Sequence, residues 1–246
     1  MFITDIFNSV IFIPLYNALI FFTGLTGGSI GASVIILTLL VKFAILPLSH
    51  KSVTTQAGLR KLDPEIKKLK EKHKNNQQDQ ARAIMELYKE HGINPFSGCI
   101  LTLIQIPIIF GLYWVFWRGL SSGVVNPDLL YSSVPMPEMI AFKFFGFDLI
   151  ERSIILSLIA GVSQYFLMKL SIPPIKPEEK KPGEALTFAD EFKKGLGTQM
   201  RYVLPVMIAV ISFGFPAVVP LYWFTSNLFS IVHELLVKRK AKELLA

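Results

Sequence analysis

A lysine set in an otherwise uncharged apolar run offers this chain's clearest chemistry. Lys42 lies inside Ile30–Leu48 (IGASVIILTLLVKFAILPL), which holds no other ionisable group. The run approaches the ~20 apolar residues a helix needs to cross a bilayer. A cation at that depth costs about 2.5–3.5 kcal/mol on insertion scales and normally faces a protein interior or a wet cavity, so it marks a candidate site. Snorkelling is the competing reading, because Lys42 lies only about 9 Å from the Pro47–Leu48 end at 1.5 Å per residue. Hydrogen-bonding side chains are scattered through the other apolar runs: Thr38, Thr102, Gln105, Ser157, Ser163, Gln164, Thr225, Ser226 and Asn227. Each alone acts as interhelical glue worth about 0.6 kcal/mol. If Thr38, Gln105 and Gln164 converge with Lys42, they give a groove with polar walls. Pro107, two residues after Gln105, removes a backbone donor and is expected to kink its run and free carbonyls.

Catalytic chemistry finds no comparable residues. His50, His73, His91 and His233 occupy unrelated places, with no HExxH and no metal-ligand pairs at helical spacing. There is no GxxxxGK[ST] phosphate loop and no GxSxG elbow. His233 and Glu234 are neighbours, which a helix points apart; they read as an interfacial polar cap. The expectation is a protein that is not an enzyme, with no catalytic residue, no metal and no cofactor.

The elements that must position these groups are helices in a membrane. The 246 residues are 52% hydrophobic, with a net charge of +7 and one cysteine, Cys99, which excludes an intrachain disulfide. Only helices or closed barrels satisfy the backbone in lipid, and the apolar runs are of helical length. The fold class read here is all-α and polytopic: a five-span bundle with a cytoplasmic helical hairpin and an N-terminal interfacial helix. The boundaries are an extracytoplasmic interfacial helix over 1–27, spans over 28–48, 95–118, 153–170, 201–214 and 216–237, a hairpin over 49–94, an extracytoplasmic linker over 119–152, a flexible cytoplasmic loop over 171–200, and a basic tail over 238–246. A sixth span over Ile6–Phe22 is the alternative to the interfacial helix. The last two spans are split at Phe213-Gly214-Phe215-Pro216. Ser49–Asn94 carries ten Lys/Arg and Lys169–Arg201 seven, against three in Arg118–Arg152. The positive-inside rule then puts the N-terminus outside and the C-terminus in the cytoplasm. In the hairpin, Leu59/Leu62/Ile66/Leu69 and Ala81/Ile84/Leu87/Tyr88 form two apolar stripes at helical spacing. Lys67, Lys68, Lys70, Lys72 and Lys74 are left as a basic docking face. Pro173–Gly183 (PPIKPEEKKPG) has the composition of a loop.

The run Asn94-Pro95-Phe96-Ser97-Gly98-Cys99, followed by Gln105-Ile106-Pro107-Ile108 and Leu112-Tyr113, resembles the second core span of YidC-type membrane protein insertases. Thr38–Lys42 with Leu46-Pro47-Leu48 is similar to the first core span of that family. Leu62-Asp63-Pro64-Glu65-Ile66 is similar to its cytoplasmic hairpin, and Phe215-Pro216 with Leu221-Tyr222-Trp223 to its last span. The resemblance runs in order along nearly the whole chain and is to the short bacterial form, without the large extracytoplasmic domain. It implies a bacterial plasma-membrane protein that inserts and folds clients through a positively charged groove, without nucleotide hydrolysis. Lys42 stands where the family usually has arginine, which keeps the charge but loses the bidentate fork. Gln164 and Trp223 match other groove positions. The implied partners are nascent membrane proteins and the lipid bilayer, with the ribosome, targeting factors and a larger translocon as further candidates. The rival readings are a non-transporting assembly scaffold docking partners through the hairpin, and a small channel or transporter. The latter is expected to show internal repeats, and none is evident.

Overall fold

The structure, a computed structural model, describes residues 2–73, 76–94, 97–120, 124–172 and 197–243. Lys74 and the loop Pro173–Gly183 lie outside them. The described chain is mostly helical. It divides into two compact units, Met1–Phe43 with Pro107–Leu236, and Ala44–Ile106 with Val237–Ala246.

The first unit starts with α1 (Phe2–Phe7), a π turn (Asn8–Phe12) and α2 (Ile13–Leu25). These run on without a break at Asn8 or Pro14. A proline ring clashes with the carbonyl four residues earlier, and the wider π turn lies just before Pro14, where the Ile13 N–H donates to the Asn8 carbonyl. The same device recurs at Gln199–Val203, where the Leu204 N–H donates to the Gln199 carbonyl just ahead of Pro205.

α3 spans Ile30–Ala44 and α4 spans Leu46–Lys61. The single run expected over 28–48 is therefore interrupted at Ile45. Pro47 is the physical reason, since its ring meets the carbonyl of Phe43. Later come α7 (Ser97–Trp114), continued by a π turn (Val115–Gly119), then α8 (Ile154–Ser171), α9 (Leu204–Phe213) and α10 (Val218–Glu243). α7 continues helically through Pro107. The chain turns between α9 and α10 at 214–217.

By length and composition, two described helices can cross a membrane alone, Thr4–Leu25 and Ile154–Ser171. A third is reached if Ile30–Ala44 and Leu46–Thr55 are taken together. Leu103–Gly119 and Gln199–Phe213 are shorter apolar helices.

α2, α3, the π turn after α7, and α10 share one apolar cluster, with Tyr16, Leu19, Ile20, Val34, Val115 and Val218 buried. Many large apolar side chains remain exposed, Val162, Val206, Val210 and Leu236 among them. Lipid tails are as apolar as leucine, so such contacts do not drive span association; close packing and polar ties do. Gly161 of α8 shows the packing: a Cβ there would lie 2.8 Å from the Ala209 Cβ and 2.9 Å from the Pro205 carbonyl of α9.

The segment 124–153 ties element ends together. The Tyr16 hydroxyl donates to the Asn126 carbonyl at 3.0 Å and accepts from the Asn126 N–H at 2.8 Å. The Asn17 amide donates to the Leu129 carbonyl at 2.8 Å and accepts from the Tyr131 N–H at 2.7 Å. A two-stranded hairpin, β1 (Lys143–Phe144) and β2 (Phe147–Asp148), turns through Phe145 and Gly146, both at positive φ. That geometry matches the twist of paired strands. The Leu149 and Glu151 carbonyls then accept from the Val218 and Ala217 N–H groups at the start of α10.

The second unit contains α5 (Asp63–Lys72) and α6 (Gln77–Glu90). Leu62, Ile66 and Leu87 are buried together, with Leu69, Ile84, Tyr88 and Ile93 packed on them. Asn76 caps α6, its Oδ1 accepting from the Gln78 and Asp79 N–H groups. One stripe differs from its expected form: Ala81 is exposed, and Gln80 is buried one position earlier. The Gln80 Nε2 donates to the Lys70 carbonyl at 3.0 Å, so a polar tie to α5 turns that position inward.

Candidate functional site: a polar seam through α3, α8 and α10

Trp223, Asn227, Ser230 and Glu234 recur along α10 at steps of four, three and four, which places them on one helix face. Each of the last three reaches a neighbouring helix. The Asn227 Nδ2 donates to the Ser163 Oγ of α8 at 3.0 Å, and the Ser163 Oγ donates to the Ala160 carbonyl at 2.8 Å. The Lys42 Nζ of α3 donates to the Ser230 Oγ at 3.3 Å. The Ser171 hydroxyl, at the end of α8, donates to the Glu234 carboxylate. The rings of Phe43 and Phe229 meet edge to face with centroids 5.1 Å apart, beside the Lys42 contact. The seam therefore ties α10 to α8 in two places and to α3 between them.

Lys42 is the charge in this seam that lacks compensation. It is partly buried, and among the described residues Ser230 is its hydrogen-bond partner and no carboxylate pairs with it. An ammonium carries three donors, so two remain for a ligand or water. Ser230 returns its own hydrogen to the Ser226 carbonyl at 2.9 Å, which leaves its oxygen facing Lys42 as an acceptor.

The other residues expected in the groove fall as follows. Thr38, one turn before Lys42, is buried, and its hydroxyl donates to the Val34 carbonyl at 2.6 Å; its donor is spent on its own helix. Gln164 follows Ser163 in α8, is 6% exposed, and makes no side-chain hydrogen bond to a described residue. Trp223 sits one turn before Asn227 and is partly buried against the apolar cluster. Gln105 lies on α7, partly buried, and belongs to the second unit. In the hairpin, Lys67, Lys68 and Lys72 are exposed and Lys70 is partly buried.

Ser230 and the inward role of Glu234 escaped the sequence reading. Glu234, read as part of an interfacial polar cap, is 4% exposed and turned toward α8. The available signal was the spacing of Asn227, Ser230 and Glu234 on one face of an apolar helix. Among the described residues, no group of three His, Cys, Asp or Glu could hold a metal.

Apolar helices with large exposed apolar faces, joined by a buried polar seam that holds one cation, define a helical membrane protein with an interior polar site. The family model described as 60Kd inner membrane protein matches residues 21–243, and the chain belongs to this family. It is 31% identical over 231 residues to the membrane protein insertase MisCA of Bacillus subtilis, covering 92% of this chain and 76% of that protein. It is 33% identical over 210 residues to the membrane protein insertase YidC of Vesicomyosocius okutanii, and 34% over 214 residues to that of Francisella tularensis subsp. novicida. Those alignments cover 85% and 86% of this chain, but the chain spans only 33% of the length of either YidC.

Proposed function

We propose that this chain is a membrane protein insertase that holds the polar part of a client in the seam while the client's apolar segment enters the bilayer. Lys42, a cation in an apolar helix with no carboxylate partner among the described residues, carries the reading. Insertases are also what the MisCA and YidC relatives are named.

The barrier is the passage of hydrophilic residues through about 30 Å of hydrocarbon. An interior polar path shortens the apolar stretch. The attraction of Lys42 for acidic client residues grows as water is excluded around them. The client's apolar helix then supplies the driving force at about 25 cal/mol per Å² buried, so no nucleotide hydrolysis is required. Thr38, Gln164 and Trp223 are the further groove residues in this reading.

The exposed hairpin lysines Lys67, Lys68 and Lys72, with Lys70 on the same helix and Lys74 beyond the described residues, recruit acidic partners such as ribosomal RNA, targeting factors or anionic lipid. Five spans, an interfacial N-terminal helix and a cytoplasmic C-terminus in a bacterial plasma membrane complete the proposal. The purified chain, reconstituted in liposomes with a single-span client carrying an acidic tail, is expected to protect that tail from external protease. Lys42→Arg retains protection and Lys42→Glu loses it. Full protection by Lys42→Glu at equal protein density would overturn the role of the charge.

A further inference from the structure

Away from the seam, two further cations meet two aromatic rings. Lys169, two residues before the end of α8, lies with its Nζ 6.0 Å from the Tyr165 ring centroid. The Tyr165 and Tyr202 rings are 6.1 Å apart, and the Arg201 guanidinium lies 5.9 Å from the Tyr202 ring. Both cation–ring distances sit at the outer limit of that attraction. Neither Lys169 nor Arg201 has a hydrogen-bond or ion-pair partner among the described residues, and the Arg201 Nε is buried with none. A desolvated guanidinium N–H without an acceptor is costly. An anionic ligand at the outer nitrogens of the guanidinium offsets its charge without having to reach the sealed Nε, and arginine's fork matches a phosphate.

The surroundings say what kind of anion. Phe166, Tyr202, Val203 and Val206 are all more than half exposed. On the other flank, α8 and α10 border an apolar groove of about 630 Å³ that ends on α8 at Phe166, one turn before Lys169. A ligand that seats its charge on Lys169 and Arg201 therefore meets uncovered apolar side chains next to them. Tyrosines at such a junction sit where hydrocarbon gives way to headgroups.

We propose that Lys169 and Arg201, framed by Tyr165 and Tyr202, bind the phosphate of an anionic phospholipid whose acyl chains cover the adjoining apolar side chains. The site lies outside the seam and does not depend on the insertase reading. A client's acidic tail would satisfy the charges but leave the apolar wall uncovered, so the lipid is favoured.

The test uses the purified full chain in detergent, with phosphatidylglycerol or phosphatidylcholine of matched acyl chains. Retained lipid is read by native mass spectrometry and stabilisation by thermal unfolding. Phosphatidylglycerol should be retained and should raise the unfolding temperature, and phosphatidylcholine should do neither. Arg201→Gln, which removes a charge-assisted contact, should weaken phosphatidylglycerol about tenfold. Lys169→Gln, at an exposed position, should weaken it in the same sense and keeps the test decisive if Arg201→Gln does not fold. Equal retention of the two lipids, or unchanged retention by both variants, overturns the proposal. Equal stabilisation by inorganic phosphate would reassign the cluster to a free ion. Displacement of the lipid by a soluble acidic peptide at matched concentration would reassign it to a client.

Discussion

On the proposed reading, the contact between Lys42 and Ser230 should tolerate loss of the serine but not of the lysine. Ser230→Ala removes a hydroxyl acceptor, an interhelical bond worth about 0.6 kcal/mol. The ammonium stays and can turn to water, so insertion activity in liposomes should remain within about twofold of the original. Lys42→Ala removes the charge and should fail most for clients with acidic tails; if Ser230→Ala fails equally, the position of Lys42 matters more than its charge. Tyr16 and Asn17 carry a structural burden of the same polar kind. Asn17→Ala leaves the Leu129 carbonyl and Tyr131 N–H unpaired beside a buried site, at about 1–3 kcal/mol. Thermal unfolding in detergent should show a clear fall, whereas Ser9→Ala, at an exposed position, should show none.

Among the elements, the contact between α8 and α9 rests on the absence of a side chain at Gly161. Gly161→Val places methyl groups against the Ala209 Cβ and the Pro205 carbonyl; overpacking of this kind costs about 1–3 kcal/mol. Gly161→Ala should cost less, because one methyl needs a smaller shift. Crosslinking between cysteines placed on α8 and α9 measures the separation, and unchanged yields in Gly161→Val would show that the contact absorbs the larger side chain without the helices parting. Two of the three π turns, Asn8–Phe12 and Gln199–Val203, express a second rule of elements. Each lies one residue ahead of a proline, and the widened turn lets the helix continue where a regular turn would clash.

At the scale of the molecule, the hairpin has an apolar cluster of its own, and the spans have theirs. Local stability is therefore separable between them. Leu87→Ala, in the hairpin cluster, should destabilise by about 2–5 kcal/mol locally. Limited proteolysis should then nick the chain within 63–90 while the fragment 107–236 remains protected. Simultaneous loss of both regions would show that they unfold as one. Deleting Thr55–Glu90 with a short linker should reduce insertion and its salt dependence, since a basic face attracts partners through screened charge. Undiminished insertion of every client tested would remove the recruiting role.

Composition and period alone determined that the chain is a helical membrane protein, because lipid permits only backbones satisfied within themselves and the apolar runs have helical length. The same local physics made the hairpin stripes, the turn at 214–217 and the singular charge of Lys42 legible, and the motif from Asn94 to Tyr113 pointed to the family. Tertiary structure decided the partners. No local signal distinguished Thr38, whose hydroxyl is spent on Val34, from Gln164, whose amide bonds to no described residue. Nor could the sequence pair Lys42 with Ser230, 188 residues away, or turn Glu234 inward to Ser171. A polar side chain in an apolar helix has the same local propensity whether it faces its own backbone, a neighbouring helix or a ligand. Only the packing of α3, α8 and α10 against one another selects among the three.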